Sequence, residues 1–88
     1  MENVLFIYAD RCRDCKKMEK FILKAIDELK LNVDVDYINS EDEKAIDVAI
    51  EKGIEDIPAC VIGENVFFGK RGFSYELISD ALKKMIIP

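Results

Sequence analysis

Two cysteines stand close together near the start of the chain, in the run Cys12-Arg13-Asp14-Cys15. If a helix begins there, their side chains lie on one side of it, one turn apart. Cys12 would then lie at the helix N-terminus, where free backbone N–H groups and the positive end of the helix dipole stabilise a thiolate. Arg11 and Arg13 add positive charge, and Cys15 would be more shielded. Such a pair is suited to dithiol exchange, in which Cys12 attacks a disulfide and Cys15 resolves the mixed disulfide.

The same pair could instead belong to a metal site. Zinc and iron–sulfur sites usually need four ligands, and the chain offers only one more cysteine, Cys60, and no histidine. A carboxylate could complete a site, or two chains could share a cluster, so a metal-binding module using Cys12, Cys15 and Cys60 is the main alternative. A redox-dependent interaction protein without turnover is another. We favour redox chemistry, with no metal or cofactor, because the pair lies between a predicted strand and a predicted helix.

The elements around the pair follow from the spacing of apolar residues. Residues 3–9 form an almost unbroken apolar run, which is typical of a strand buried on both faces of a sheet. The apolar residues that follow recur at steps of three and four, which predicts a helix of about four turns. They are Met18, Phe21, Ile22, Ala25, Ile26 and Leu29. The cysteine pair therefore falls where a central strand ends and a helix begins.

A second strand and a second helix are predicted next. Residues 33–38 alternate as a strand does, and the two aspartates among them suit an edge position. Ser40 followed by Glu43 has the form of a capping box, which predicts a helix over residues 41–52 that ends near Gly53. This helix is expected to bury Ile46, Ala49 and Ile50.

The rest of the chain is predicted to form a hairpin and a last helix. Residues 59–62 and 66–68 are short apolar runs around a turn at 63–65, and Ser74 can cap a helix. That helix is expected to bury Leu77, Ile78, Ala81, Leu82 and Met85. The predicted order is β-α-β-α-β-β-α, a parallel βαβ unit followed by an antiparallel hairpin. We therefore predict a single α/β domain over residues 1–88, with a four-stranded mixed sheet flanked by three helices.

Composition and charge exclude several classes. The 88 residues carry a net charge of −5, so we expect no nucleic-acid partner and no membrane binding, because both need a basic surface. The longest apolar runs are too short to span a bilayer. Glu2 and Asn3 stand where a signal peptide has basic residues, and three cysteines do not make the even set of a small secreted domain. We therefore expect a cytoplasmic monomer.

These features together resemble the thioredoxin fold over essentially the whole chain. They comprise a strand, Cys-x-x-Cys at a helix start, a βαβ unit, Ile57-Pro58 before a hairpin, and a final helix. The short length and a first strand that opens on Ile7-Tyr8 are similar to glutaredoxins, whereas Lys16 directly after the pair is similar to thioredoxins. The sequence thus resembles a small glutaredoxin-like thioredoxin. The resemblance implies an enzyme, a dithiol–disulfide oxidoreductase that reduces disulfide-containing protein substrates and is recharged by a reductase.

The resemblance also implies a substrate groove. In this family the proline that matches Pro58 is cis and faces the dithiol, and the backbone of the residue before it, here Ile57, pairs with the substrate chain. Only about one X–Pro bond in twenty is cis in folded proteins, so this is a sharp prediction. Lys70 and Arg71, in the loop before the last helix, are expected to dock an acidic patch on a partner protein. The predicted substrate-binding residues are thus Arg11, Arg13, Ile57, Pro58, Lys70 and Arg71.

Three departures from the family pattern bear on the chemistry. Glutaredoxins hold glutathione with a Gly-Gly pair followed by an acid. Here Gly69 and Gly72 are separated and Ser74 stands nearest, so the sequence does not predict glutathione binding. The buried acid that assists the resolving cysteine of thioredoxins is replaced by Phe6, so solvent or a neighbouring group must take the proton. Cys60 is either a small buried hydrophobe or a third thiol that exchanges with the pair or binds a metal.

Overall fold

Within residues 3–86, which the computed structural model describes, four strands and three helices follow one another in the predicted order. The strands are β1 (Asn3–Tyr8), β2 (Asp34–Asn39), β3 (Ala59–Ile62) and β4 (Asn65–Phe68), and the helices are α1 (Arg13–Glu28), α2 (Glu43–Lys52) and α3 (Tyr75–Ile86). In this part of the chain no helix is both long and apolar enough to cross a membrane.

The strands form a mixed sheet in the order β2-β1-β3-β4. β1 runs parallel to β2 and antiparallel to β3, and β4 is antiparallel to β3. The interior position of β1 explains its continuous apolarity, because both of its faces are covered. β2 lies at an edge, as predicted, and its Asp36 forms an ion pair with Lys44 of α2 (3.1 Å).

Alternate side chains of β1 enter two apolar clusters. Val4 and Phe6 are buried with residues of α1 and α3, whereas Ile7 is buried with Ala45 of α2. The helices therefore cover both faces of the sheet, with α1 and α3 on one face and α2 on the other. The predicted apolar face of α1 is confirmed: Met18, Ile22 and Ala25 are buried, and Phe21, Ile26 and Leu29 pack against the same cluster.

α3 begins where the sequence predicts, because the N–H of Leu77 donates to Ser74 Oγ (3.1 Å). The prediction of its buried side is largely confirmed. The prediction is wrong for Leu77, whose side chain is 48% exposed. Leu77 is one position before Ile78 and is thus turned about 100° away from the stripe that packs on the sheet. That stripe consists of Ile78, Ala81, Leu82 and Met85.

The start of α2 corrects a prediction, because Asp42 caps this helix and Ser40 does not. The Asp42 carboxylate accepts the N–H of Lys44 (3.2 Å). The N–H of Ser40 instead donates to the carbonyl of Tyr8 (2.7 Å), which continues the parallel pairing of β2 with β1. Since Ser40 is still bonded to the neighbouring strand, the helix begins only at Glu43.

The buried face of α2 also differs from the prediction. Ala45 is buried and Val48 packs with it, whereas Ile46 and Ile50 are 53% and 77% exposed. Docking through the small side chain of Ala45 lets the helix approach the sheet closely. The end of the helix is as predicted, at Gly53, whose left-handed backbone (φ 70°) closes the last turn.

Candidate active site

The cysteine pair lies at the point where the chain passes from β1 into α1, as predicted. Cys12 is the N-cap residue of α1, with extended backbone (φ −103°, ψ 111°), and its Sγ accepts the backbone N–H of Cys15 (3.1 Å). The two side chains are joined in a disulfide, with 5.2 Å between their Cα atoms. Arg11 has a left-handed backbone (φ 59°), which turns the chain from the strand into the helix.

The two sulfurs have different environments. Cys12 is half-buried, whereas Cys15 is only 3% exposed and belongs to the larger apolar cluster. If the pair is reduced, a Cys12 thiolate in this position would be accessible to a substrate and would accept the Cys15 N–H in a charge-assisted hydrogen bond, which is stronger than a bond to a neutral group. Arg11 and Arg13 are both exposed near the helix start and add positive charge there.

A cavity of about 240 Å³ opens beside the disulfide. One wall is aromatic and consists of Phe6 and Tyr8 of β1 and Tyr37 of β2, with ring centroids 5.6–6.3 Å apart. The charged residues of the lining are Asp10, Arg11, Lys16 and Glu19. Of the two predicted arginines, the cavity lining includes Arg11 and leaves out Arg13.

Glu19 and Tyr37 are site residues that the sequence did not reveal. Glu19 lies on α1 four residues after Cys15, and Tyr37 stands in register with Phe6 across the β1–β2 pair. Partial burial raises the pKa of the Tyr37 hydroxyl to about 12, and the neighbouring Glu19 carboxylate acts in the same direction. The helical spacing from Cys15 could have pointed to Glu19. Tyr37 depends on the strand register, which no sequence pattern specifies.

The Ile57–Pro58 peptide bond is cis, as the resemblance implied. The next residue, Ala59, pairs with Ile7 near the end of β1, so Pro58 lies at the end of the sheet from which the chain leads to the disulfide. The N–H of Ile57 donates to Asp56 Oδ1 (2.8 Å). A substrate chain that uses this N–H must therefore first displace the Asp56 carboxylate.

The loop after β4 is tied to the same segment, because the N–H of Gly69 donates to the carbonyl of Pro58 (2.9 Å). Lys70 and Arg71 follow and are exposed. They line a second cavity together with the two acidic residues just before Ile57. The structure thus places these two basic residues beside the cis-proline segment and not in the lining of the disulfide cavity.

Cys60 is fully buried (0% exposed) in the same apolar cluster as Cys15. Burial raises the pKa of its thiol to about 12, although a backbone hydrogen bond at Phe67 acts in the opposite direction. These observations fit a small buried hydrophobe. Within residues 3–86, no group of three or more His, Cys, Asp or Glu side chains is arranged to hold a metal ion.

The fold and the site together define a thioredoxin-like protein with a redox-type cysteine pair, and this pair at disulfide distance is consistent with redox function. The chain belongs to the thioredoxin domain family, whose sequence model matches residues 4–82. Membership of this family supports oxidoreductase-type activity in general. No curated protein is similar enough to this chain to count as a match.

Solved structures support the fold. A thioredoxin-like protein from Clostridium perfringens superposes with a TM-score of 0.75 at 21% identity, over 96% of this chain and 70% of that one. Thioredoxin 1 from the thermophilic eubacterium Thermosipho africanus TCF52B gives 0.66 at 17% identity, over 93% of this chain and 91% of that one. A malarial protein gives 0.60 at 14% identity, over 97% of both chains. At these identities the similarity concerns the fold alone.

Proposed function

We propose that the protein is a dithiol–disulfide oxidoreductase that reduces disulfides in other proteins. The observation that carries the proposal is the placement of the pair. Cys12 Sγ accepts an N–H at the helix N-terminus, whereas Cys15 lies one turn deeper and is 3% exposed. An accessible, stabilised thiolate with a shielded partner is the arrangement that thiol–disulfide exchange requires.

The reaction proceeds in two exchanges. The Cys12 thiolate first attacks one sulfur of the substrate disulfide, and the other substrate sulfur leaves with the electron pair of the broken bond and takes up a proton. Cys15 then loses its proton and attacks Cys12 Sγ, which forms the internal disulfide and releases the second substrate sulfur as a thiolate. Two electrons pass from the dithiol to the substrate, and a reductase must return them before the next cycle.

The substrate contacts in this proposal lie at the same end of the sheet as the pair. The arginines favour the thiolate and approach the substrate first, the cis-proline segment offers backbone to an extended substrate chain, and the basic loop attracts acidic partners. The residues are Arg11, Arg13, Ile57, Pro58, Lys70 and Arg71. The setting is the cytoplasm, where thiols are kept reduced.

Single-cysteine variants test the proposal through the reduction of insulin by dithiothreitol. We expect Cys12→Ser to abolish catalysis, because the attacking sulfur is gone. Cys15→Ser keeps the first exchange but cannot complete the second, so a mixed disulfide between Cys12 and insulin accumulates when the pre-reduced variant is mixed with insulin without dithiothreitol, and it is visible by mass spectrometry. Cys60→Ala is the matched control and retains activity, because the buried Cys60 takes no part in either exchange.

Two results would contradict the proposal. Full activity of both Cys12→Ser and Cys15→Ser would overturn the mechanism. A dithiol that does not form a reversible Cys12–Cys15 bridge in graded thiol/disulfide buffers would do so as well. Known carriers have potentials of roughly −120 to −270 mV, and we expect a value in or near this range.

A further inference from the structure

The second exchange requires that Cys15 lose a proton in a buried position. Cys15 is 3% exposed and packs in the apolar cluster, where a thiolate forms less readily than in water. Phe6, which occupies the place of the family's assisting acid, is 2% exposed and has no group that accepts a proton. The proton of Cys15 must therefore pass to solvent or to another group near it.

Glu19 is the carboxylate that the helix places closest in sequence to Cys15 on the same side. Residues four apart on a helix are neighbours on its surface, with Cβ atoms roughly 5–6 Å apart. Both residues line the cavity beside the disulfide, which has room for several water molecules at about 240 Å³. Glu19 is half-buried, so it is reachable from the cavity and still able to exchange protons with solvent.

Tyr37 approaches the same carboxylate from the neighbouring strand. Its ring packs edge-to-face on Phe6, with 5.6 Å between the centroids. Tyr37 and Glu19 line the same cavity, and the Glu19 carboxylate contributes to the raised pKa of the Tyr37 hydroxyl. The aromatic contact holds the ring at the wall of the cavity that Glu19 also lines.

We propose that Glu19 is the proton acceptor for Cys15 in the second exchange and that Tyr37 is a positioning residue for Glu19. This inference rests on the function proposed above. The Cys15 thiol gives its proton to the Glu19 carboxylate, directly or through a water in the cavity. The Cys15 sulfur then attacks Cys12 Sγ, the bond between Cys12 and the substrate breaks, and the substrate sulfur leaves with the electron pair. The carboxylic acid returns the proton to that thiolate or to water.

The other titratable and charged groups around the cavity do not meet the same conditions. Tyr8 comes from β1, Asp10 and Arg11 from the loop before Cys12, and Lys16 from the first turn of α1. Arg11 and Lys16 are cations and take no proton. Asp10 is exposed and precedes Cys12, so it adjoins the attacking sulfur and not the resolving one.

The second exchange can be measured alone. Reduced protein is treated at acid pH with methyl methanethiosulfonate, which places a methylthio group on Cys12, and is then transferred rapidly to a series of higher pH values. The reaction is quenched with acid at each time point. Mass spectrometry then measures the fraction of protein that still carries the methylthio group and the fraction that contains the Cys12–Cys15 bridge. Loss of the methylthio group as methanethiol reports the attack by Cys15.

We expect Glu19→Gln to slow this loss by roughly 100-fold near neutral pH, at the lower end of what a positioned base contributes. The defect should narrow as the pH rises, because hydroxide then removes the Cys15 proton without the help of Glu19. Glu19→Asp, which keeps a carboxylate on a shorter side chain, should restore part of the rate. Tyr37→Phe should produce a smaller slowing with the same pH dependence.

Asp27→Asn is the matched control, since it removes one exposed carboxylate from the same helix away from the cavity. The inference is overturned if Glu19→Gln is no slower than Asp27→Asn, or if its defect is the same at every pH, which would indicate a structural effect. Failure of the proposed function is distinguishable. In that case Cys12 takes up no methylthio group, or no bridge forms in the unmodified protein at any pH.

Discussion

The buried thiol of Cys60 yields the most quantitative prediction. Its pKa is raised from an ordinary 9.0 to about 12, chiefly by burial. Alkylating reagents attack the thiolate, and each pKa unit lowers the thiolate population tenfold at a pH below both values. In the folded protein, Cys60 should therefore react with iodoacetamide roughly 1,000-fold more slowly than an ordinary thiol, before any steric protection by the core is counted.

The oxidised protein makes this measurement simple, because Cys60 is then the free cysteine. Iodoacetamide is added at neutral pH, and mass spectrometry follows the single alkylation with time. The reference is the same oxidised protein in concentrated guanidinium chloride, where Cys60 has the reactivity of an exposed thiol. A folded-state rate within tenfold of the unfolded one would refute the reasoning and would restore Cys60 as a candidate for disulfide exchange.

The same pKa difference predicts a loss of stability at alkaline pH. Below about 9 the Cys60 thiol is protonated in both states and pH has no effect through it. Between about 9 and 12 the unfolded chain releases the proton and the folded one keeps it, so rising pH favours unfolding. The free energy of unfolding should fall by about 1.4 kcal/mol per pH unit relative to Cys60→Ala. The oxidised forms of both proteins should be compared, so that the other titrations cancel.

Two further predictions concern the backbone. Asp42→Ala and Ser74→Ala should each lower the free energy of unfolding by about 1 kcal/mol through loss of a helix N-cap, whereas Ser40→Ala should change it by less than about 0.5 kcal/mol. A larger loss at Ser40 would contradict the assigned cap. Gly72→Ala should cost at least about 2 kcal/mol, because its Cβ would collide with the carbonyl oxygen of the preceding strand's last residue. Gly53→Ala has open space and only an unfavourable φ (+70°), so it should cost about 1 kcal/mol in denaturant titrations. Equal losses of unfolding free energy in Gly72→Ala and Gly53→Ala would refute the collision at Gly72.

The sequence predicts the strands and α1 well because their apolar patterns each allow one arrangement. Residues 4–9 are apolar without interruption, and only an interior strand buries both faces. α2 is different, because five of the six residues 45–50 are apolar and together they surround much of the helix. Periodicity could not choose between the face of Ala45 and that of Ile46 and Ile50. The docking of the helix decides, and that depends on the sheet beneath it.

The candidate site also contains some residues that the sequence predicts and others that it does not. The cysteine pair and Pro58 are found from the sequence because each is marked locally, by its spacing or by its neighbour. Glu19 and Tyr37 have no such mark. Glu19 is one of several charged residues on α1, and Tyr37 matters only through the register that pairs it with Phe6. Contacts between secondary-structure elements depend on how the elements pack, and no local sequence pattern shows them.

The way this site is assembled follows from the βαβ unit itself. Because β1 and β2 are parallel, their carboxyl ends lie at the same end of the sheet, where α1 begins. The crossover therefore brings a side chain of β2 beside the first turns of α1. Cys12 caps the helix, Cys15 follows one turn later and Glu19 one turn after that, so the residues that we propose for attack, resolution and proton transfer lie along one side of one helix. Phe6 packs in the apolar cluster with Cys15, and Tyr37, in edge-to-face contact with Phe6, lines the cavity beside the pair. In the proposed mechanism, Glu19 of α1 takes the role that a buried acid on β1 would otherwise have.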